Sequence, residues 1–564
     1  MTDAGAESAA AASAGSGRVR LSRVLLALAG VALLGAVWIV VTAWRAHSDL
    51  EALRHDVSRI RSDLVAGRVA DARRDLANAQ ADAAAAHART TGPAWWVGAH
   101  LPGLSAPLST IRGIAVAGHS LSRTALPELV AGGVALDPQK LRVGPDRLDL
   151  TRLGEAGPSL ARALPAVSAA RAQVAGLSGS WLGPVADGRR SLLKQLTSLE
   201  GTLHDTVIAT RLMPTMLGAS GPRTYLMVFE GDNETRALGG IFGGYGLLHA
   251  DAGRLRLLRF GSDRDFGGIT AQVDLGEQFE QAYGGTDAYH SVQDADISPH
   301  FPDAAQIWSS MAEQRLGVHI DGVIAMDPVM LARILSVIGP VTMSDGTRLT
   351  GDNLVQLLDV GVYRRFDSGV GDADTPARKA FFTSAAEAVT DATLHRSINT
   401  TKLLHALARS AGERRLVAYS AEPDEESLLA GTPLGGVLPR TARPFEGLVV
   451  TNDSGTKLGY FLHRSLTYRR STCAATTATV TVELHNEAPA SGLPGYMTRG
   501  VQWGDAAHPP GSESYIVSLY STQGSSVSGV TLDGQPLGTY AAADSSHPIT
   551  ETLAPMKSRH TVTM

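Results

Sequence analysis

The chain has 564 residues, enough for two or three folded units, with 44% apolar and 19% charged residues. That balance describes a globular protein with ample core and excludes a disordered one. A net charge of −5 gives no reason to expect nucleic acid, and the single cysteine, Cys473, excludes an intrachain disulfide framework and a cysteine-based zinc site. As a small apolar residue, that thiol is expected to be buried.

Residues 1–17 are rich in Ala, Ser and Gly, so 1–23 reads as a disordered cytoplasmic tail. Arg18, Arg20 and Arg23 precede the uncharged run VLLALAGVALLGAVWIVVTAW, residues 24–44. As a helix it would span roughly 31 Å, about a hydrocarbon thickness. It exceeds the apolar core of a signal peptide and lacks a small-residue cleavage site, so a retained single-pass anchor in the cytoplasmic membrane is expected. Three arginines before it and Arg45 after it predict the N-terminus inside and the bulk of the chain extracytoplasmic.

Residues 45–215 read as a helical stalk. Leu50, Leu53, Val57, Ile60 and Leu64 recur at helical spacing, Gly67 marks a break, and an Ala-rich helix follows to Arg89. The Trp95-Trp96 pair is expected to pack on helices. Further helices fall near 107–131, 151–176 and 186–213, cut by Pro and Gly.

Residues 216–440 change pattern, and the stretch from Arg223 to Phe266 anchors the rest. Tyr225–Phe229, Ile241–His249 and Leu255–Phe260 read as three strands, the last two joined by a turn at Asp251-Ala252-Gly253. Between the first two lies Glu230-Gly231-Asp232-Asn233-Glu234-Thr235-Arg236, a polar loop at a strand end, where binding groups concentrate. Gly239, Gly240, Gly243, Gly244 and Gly246 precede a strand rather than a helix, so they predict bulging or close backbone approach instead of a dinucleotide fold. No Gly-x-Ser-x-Gly elbow or phosphate loop occurs.

Downstream, Val292–Asp303 is an Asp- and Pro-rich loop; His290 just before it and its Asp294, Asp296, His300 and Asp303 match the spacing of neither an EF-hand loop nor a zinc helix. A helix over 304–315 and a strand over 320–326 follow, then a helix capped by Asp327-Pro328 and ended by Gly339-Pro340. A strand near 341–343, a helix from about 352 and a long helix opened by Thr375-Pro376 complete an α/β (or α+β) central domain with a mixed sheet. Residues 441–564, with alternating runs at 479–484, 515–520 and 527–532, read as a β-sandwich-like module.

Arginines supply the candidate site. Arg378 and Lys379 fall in the first turn of the helix at Thr375, where cations oppose the helix dipole unless an anion or carboxylates offset them. Arg236, Arg264, Arg364 and Arg365 lie in loops or element ends of the same domain, and guanidinium forks suit phosphate or carboxylate. The alternative is that they pair with Asp265, Asp367, Asp372 and Asp374.

Three blocks, NETRALGG–FGGYG (233–246), HIDGVIAMDP–LARIL–GPV (319–341) and HNEAP–GLPGY (485–496), resemble the bacterial family named domain of unknown function 4012. Its members are predominantly membrane-anchored and extracytoplasmic, and the label implies no activity. A fainter similarity is to the LytR-CpsA-Psr phosphotransferases, which move glycopolymers from polyprenyl-pyrophosphate carriers. It rests on Asp263-Arg264-Asp265, Gln281–Gly285, Ile320–Met326 with Gly339-Pro340-Val341, and Asp374–Lys379, with Asp263 in place of proline and Lys379-Ala380 in place of Arg-Gln.

That resemblance implies that Arg264, Arg378 and Arg236, with Lys379 beside them, clamp a pyrophosphate, and that Asp265 or Asp232 helps hold Mg²⁺. Arg264, Asp265 and Arg378 would then be the catalytic candidates, beside an apolar groove for the prenyl tail. No other cofactor is expected. Two functions stay open: a membrane-anchored cell-envelope scaffold or binding protein whose β module meets a protein or glycan, and a transferase acting on polyprenyl-pyrophosphate-linked glycopolymers.

Overall fold

The computed structural model describes residues 8–563, apart from 138, 139, 142, 145, 146, 370–372, 397, 442, 499–510 and 558. The side chains of 8–29, 32, 65, 401, 555–557 and 559–562 also lie outside the description. The chain divides into two compact units, one of residues up to 141 with 151–211, the other of 142–150 with 212–564.

The first unit is helical: α1 (Ser8–Val65), α2 (Val69–Thr90), α3 (Pro93–His100), α4 (Ser105–Thr124), α5 (Leu126–Ala135), α6 (Leu150–Ala175) and α7 (Gly183–Met216). Gly67, at φ +72°, reverses the chain between α1 and α2. Ala72, Ala79, Ala83 and Ala86 of α2 are fully buried, a small-residue stripe that lets the two backbones approach closely. Pro158 and Pro165 lie inside α6 instead of ending it. Trp95 is buried and donates to Thr42 Oγ1 at 2.9 Å, as expected of a packing residue, whereas Trp96 is exposed.

The expected tail is helical from Ser8, and residues 1–7 lie outside the described residues. Among the described residues no helix is long and apolar enough to cross a membrane. The expected span begins within 24–29, whose side chains lie outside the description. Its remainder leaves Val31, Leu33, Leu34, Trp38, Val40 and Trp44 exposed.

The second unit opens with β1 (Arg223–Gly231), β2 (Ile241–Asp251) and β3 (Arg254–Ser262), followed by α8 (Glu277–Tyr283), α9 (Phe301–Leu316), β4 (Gly322–Met326) and α10 (Pro328–Ile338). Then come the short pair β5 (Val341–Thr342) and β6 (Arg348–Leu349), α11 (Leu354–Gln356), a π-turn over Leu357–Gly361, α12 (Val362–Arg365), α13 (Thr375–His395), α14 (Thr400–Gly412), β7 (Leu416–Ser420) and α15 (Pro423–Leu429). The main sheet runs β3-β2-β1-β4-β7, with β1 and β4 parallel and the other pairs antiparallel, so it is mixed as expected. The β5–β6 pair forms its own small sheet instead of extending the main one.

Period-two alternation makes β1 the centre of two cores. Leu226 and Val228 pack with Phe301, Ile307, Trp308 and Met311 of α9, while Met227 and Phe229 pack with α10 and α13. Ala252 and Gly253, both at positive φ, form the tight turn between β2 and β3. Asp327 caps α10 by accepting from the Met330 N–H at 2.8 Å.

The sheet-rich C-terminal region contains β8 (Glu446–Asn452), β9 (Leu462–Arg469), β10 (Thr479–Asn486), α16 (Gly495–Thr498), β11 (Glu513–Ser521), β12 (Thr531–Leu532), β13 (Gln535–Pro536), β14 (Tyr540–Asp544), β15 (His547–Lys557) and β16 (Arg559–Thr563). They form sheets ordered β13-β12-β16-β10-β9 and β14-β15-β11-β8, sharing a core that includes Val450, Val482 and Val517. The expected burial of Cys473 is corrected: it is exposed between β9 and β10, where nothing packs over it.

Candidate functional site

The parallel strands β1 and β4 end side by side, one leading into Gly231-Asp232-Asn233, the other into Asp327-Pro328. Carboxyl ends of neighbouring parallel strands are where open α/β sheets leave room for ligands. A bulge at Phe229/Glu230 and the glycines beyond it shape this end. A Cβ on Gly240 would stand 2.4 Å from the Gly231 carbonyl oxygen, so only glycine fits.

A cavity of about 350 Å³ opens here. Phe229, Ile241, Phe260, Leu331, Leu358 and Phe382 give it apolar walls, and Arg264, Arg378, Lys379 and Lys457 reach it with cationic groups. Arg378 projects from the first turn of α13 and is only 3% exposed. It donates to the Phe366 carbonyl and to Thr375 Oγ1, both at 2.9 Å, and its guanidinium lies 3.8 Å from the Tyr496 ring centre. Tyr363 stacks on Tyr496 at 5.9 Å and holds that ring in place.

The four cations differ in partners. Lys379 pairs with Asp263 at 2.9 Å, and Lys457 pairs with Glu234. Arg378 has no carboxylate in contact among the described residues, and exposed Arg264 has no ion pair among them. Burial, reinforced by nearby aspartates, pushes the carboxyls of Glu230 and Asp359 well above their ordinary range. Two guanidinium groups therefore stand at an apolar hollow without a contacting carboxylate, and the Ser368 hydrogen bonds, with help from the Arg378 charge, hold the Asp374 carboxyl below its ordinary range.

The structure thus brings Arg264, Arg378 and Lys379 together and leaves Arg236 out. Arg236 is committed to Glu234 at 3.2 Å, Asp294 at 3.4 Å and the carbonyls of Thr235 and Asn452. Arg365 pairs with Asp345, not with the aspartates nearest it in sequence. Asp265 accepts from the Tyr245 hydroxyl at 2.9 Å, and Asp232 faces a different cavity. Asp265 and Asp232, the alternatives offered for Mg²⁺, thus lie apart, and among the described residues no group of three or more His, Cys, Asp or Glu could hold a metal ion.

Sequence reasoning placed Glu230 in the polar loop after β1 but missed Lys457, Tyr363, Tyr496 and Asp359. Tyr496 ends the HNEAP–GLPGY block, which was a usable signal; Asp359 sits on the π-turn, which no periodicity announces.

Fold and cavity together define a mixed α/β domain with a ligand-sized hollow at its strand ends and a further sheet-rich region behind it. Residues 220–363 match the family described as "Protein of unknown function (DUF4012)", which covers the first two of the three resembling blocks. No curated protein matches. Among solved structures the chain is similar to the transcriptional regulator YvhJ from Bacillus subtilis (11% identity, 40% of this chain and 85% of that one, TM-score 0.21). It is similar also to the Lin1025 protein from Listeria innocua (10%, 40% and 85%, 0.20) and to B. subtilis TagV (12%, 40% and 87%, 0.21).

Proposed function

We propose that this protein binds an apolar-tailed phosphate of the cell envelope, with the tail in the 350 Å³ cavity and the phosphate on Arg264 and Arg378. The observation that carries the reading is Arg378: a buried cation without a contacting carboxylate is costly, and a bound anion removes that cost. The aromatic and aliphatic walls suit a prenyl chain, and the exposed apolar collar on α1 suits an anchor at 24–44 that keeps the domain near the bilayer, N-terminus inside.

The test is binding of farnesyl phosphate to the full chain in detergent, against farnesol and inorganic phosphate. Farnesyl phosphate is expected to bind at least about tenfold more tightly than either, and Arg264→Ala to lose about tenfold, the worth of one charged hydrogen bond. Equal affinity for farnesol, or unchanged affinity in Arg264→Ala, would remove the reading.

A second reading, phosphoryl transfer in the manner of the LytR-CpsA-Psr enzymes, is favoured by one observation. Glu230 and Asp359, whose carboxyls burial and nearby aspartates hold toward the protonated form, line the same cavity, as a proton donor for transfer would. Turnover of a prenyl-pyrophosphate-linked sugar that is lost in Asp359→Asn would favour transfer over binding alone.

A further inference from the structure

In the helical unit, exposed apolar side chains gather where two charge-free stretches meet. Residues 90–111 and 172–186 hold no Asp, Glu, Lys or Arg, although 19% of the chain is charged. The first stretch builds α3, the turn after it and the start of α4; the second joins α6 to α7. Far apart in sequence, the two are tied together. Trp181 Nε1 donates to the Gly103 carbonyl at 2.6 Å, Thr110 Oγ1 lies 2.8 Å from the Ser178 carbonyl, and Leu177 fills the space beside Gly113 where a side chain would stand. The polar groups close this joint, while Trp96, Val97, Leu101, Leu104, Trp181 and Leu182 are left exposed on it.

This tip lies against the end of the apolar run 24–44. Trp95 donates to Thr42 Oγ1 at 2.9 Å, and a Cβ on Gly98 would come within 3.0 Å of Ile39 Cδ1, so glycine lets α3 lie close on α1. Thr42 and Ile39 stand just before Trp44, roughly 3 and 8 Å short of it along a helix. The exposed tryptophans among the described residues are Trp38 and Trp44 on that run and Trp96 and Trp181 on the tip, while Trp95 and Trp308 are buried. Apolar residues exposed singly are ordinary, but a patch that gathers every exposed indole marks a contact surface.

We propose that this tip is seated in the interfacial zone of a lipid bilayer, its indole and aliphatic side chains lying among headgroups and upper acyl carbons. Indoles favour that zone because an apolar ring and a polar N–H suit its two sides. Elements lying in the interface bury their apolar face about 5–10 Å deep, which matches the roughly 8 Å by which α3 reaches back along the run. Neither stretch carries a charged side chain that this layer would have to accommodate. Whatever surrounds Ile39 and Thr42 also meets the tip packed beside them, so lipid around the run favours lipid here over a protein partner. A span alone leaves a helical unit free to tilt, and interfacial side chains beside it restrict that tilt. The seat adds a second contact to the anchor reading of 24–44 and is independent of what fills the cavity.

The experiment uses the full chain carrying Cys473→Ser, which removes its single thiol, in phosphatidylcholine–phosphatidylglycerol vesicles. One cysteine at a time is introduced and labelled with a nitroxide: Val97→Cys or Leu182→Cys on the tip, Leu34→Cys on the run, and Leu199→Cys on α7, all at exposed positions. Collision of each label with oxygen, which concentrates in lipid, is compared with collision with a water-soluble nickel chelate. The oxygen-to-nickel ratio at 97 and 182 is expected to exceed that at 199 several-fold and to approach that at 34. A water-like ratio at either tip position overturns the seat; with 34 lipid-like the anchor survives that result, and with 34 water-like both fall. Protection of the tip labels from both reagents would mean that a second copy or another protein covers the tip, and it overturns the seat as well. Lipid-like tip labels with a water-like 34 would keep the seat and remove the anchor.

Discussion

Asp296 offers a test of the buried electrostatics that surround the site. It is fully buried, neither carboxyl oxygen has a hydrogen-bond partner, and burial raises its pKa from 3.8 to about 8 despite the nearby Arg236 charge. The folded state therefore holds this proton more tightly than the unfolded chain does. Between about pH 4 and pH 8 the folded state binds more protons, so stability falls as pH rises through that window. At about 1.36 kcal/mol per pH unit, this one carboxyl costs on the order of 5 kcal/mol by pH 8, as an upper value. Asp296→Asn removes the titration and introduces a pH-independent offset of about 1–3 kcal/mol for an amide with poor partners. Urea unfolding followed at pH 5, 6.5 and 8 is expected to show the variant gaining on the parent by roughly 1 kcal/mol per pH unit. Parallel stability curves for variant and parent would show that Asp296 is ionised in the fold, and the argument from burial would fail.

Three further substitutions probe the scaffold around the two cavities. Gly240→Ala forces a Cβ to within 2.4 Å of backbone and is expected to lower stability by about 2 kcal/mol or more in the same denaturation assay. Tyr283→Phe deletes a hydroxyl bonded to Tyr520 at 2.6 Å and Asp544 at 2.9 Å; with Asp544 left short of a donor, a loss of about 1–3 kcal/mol is expected. Asp327→Ala removes the cap on α10 and the partner of Arg415, so urea unfolding should show a loss exceeding the ~1 kcal/mol of a cap alone.

The sheet was legible because its signals are local. The apolar runs over 225–229 and 241–249, the Ala252-Gly253 turn and the Asp327-Pro328 start each act within a few residues, and the structure extends those two strands by only two residues at an end. The arginines were legible as residue types but not as partners. Whether Arg236 faces a ligand or Glu234 and Asp294 depends on a loop folding back from residue 294, a contact spanning 58 positions that no periodicity encodes. Cys473 failed for a related reason: burial belongs to the packing of a turn, and a small apolar residue type alone does not decide it.

The loop after β1 shows how one short segment can serve two hollows. Strand alternation has already sorted β1 between two cores, and past the bulge at Glu230 the sorting continues into the loop. Glu230, Asn233 and Glu234 line the apolar cavity, while Asp232 and Arg236 line a second, polar cleft. Each face then recruits what its own environment demands. On the apolar side Glu234 holds Lys457, while Arg378 and Arg264 have no contacting carboxylate among the described residues; on the polar side Asp232 lies within hydrogen-bonding reach of Asp359. Asp359 lines both hollows and lies within hydrogen-bonding reach of Asp232, so the protonation of that pair links the two electrostatically. Burial holds the Asp232 carboxyl up to about 6, so ionisation of the Asp232–Asp359 pair is expected to weaken farnesyl phosphate binding as pH rises through that value, and Asp359→Asn to change that dependence. Titrations of the ligand at pH 5 and 7.5 in parent and variant measure it, and an identical pH dependence in the two would mean that the wall insulates the two cavities.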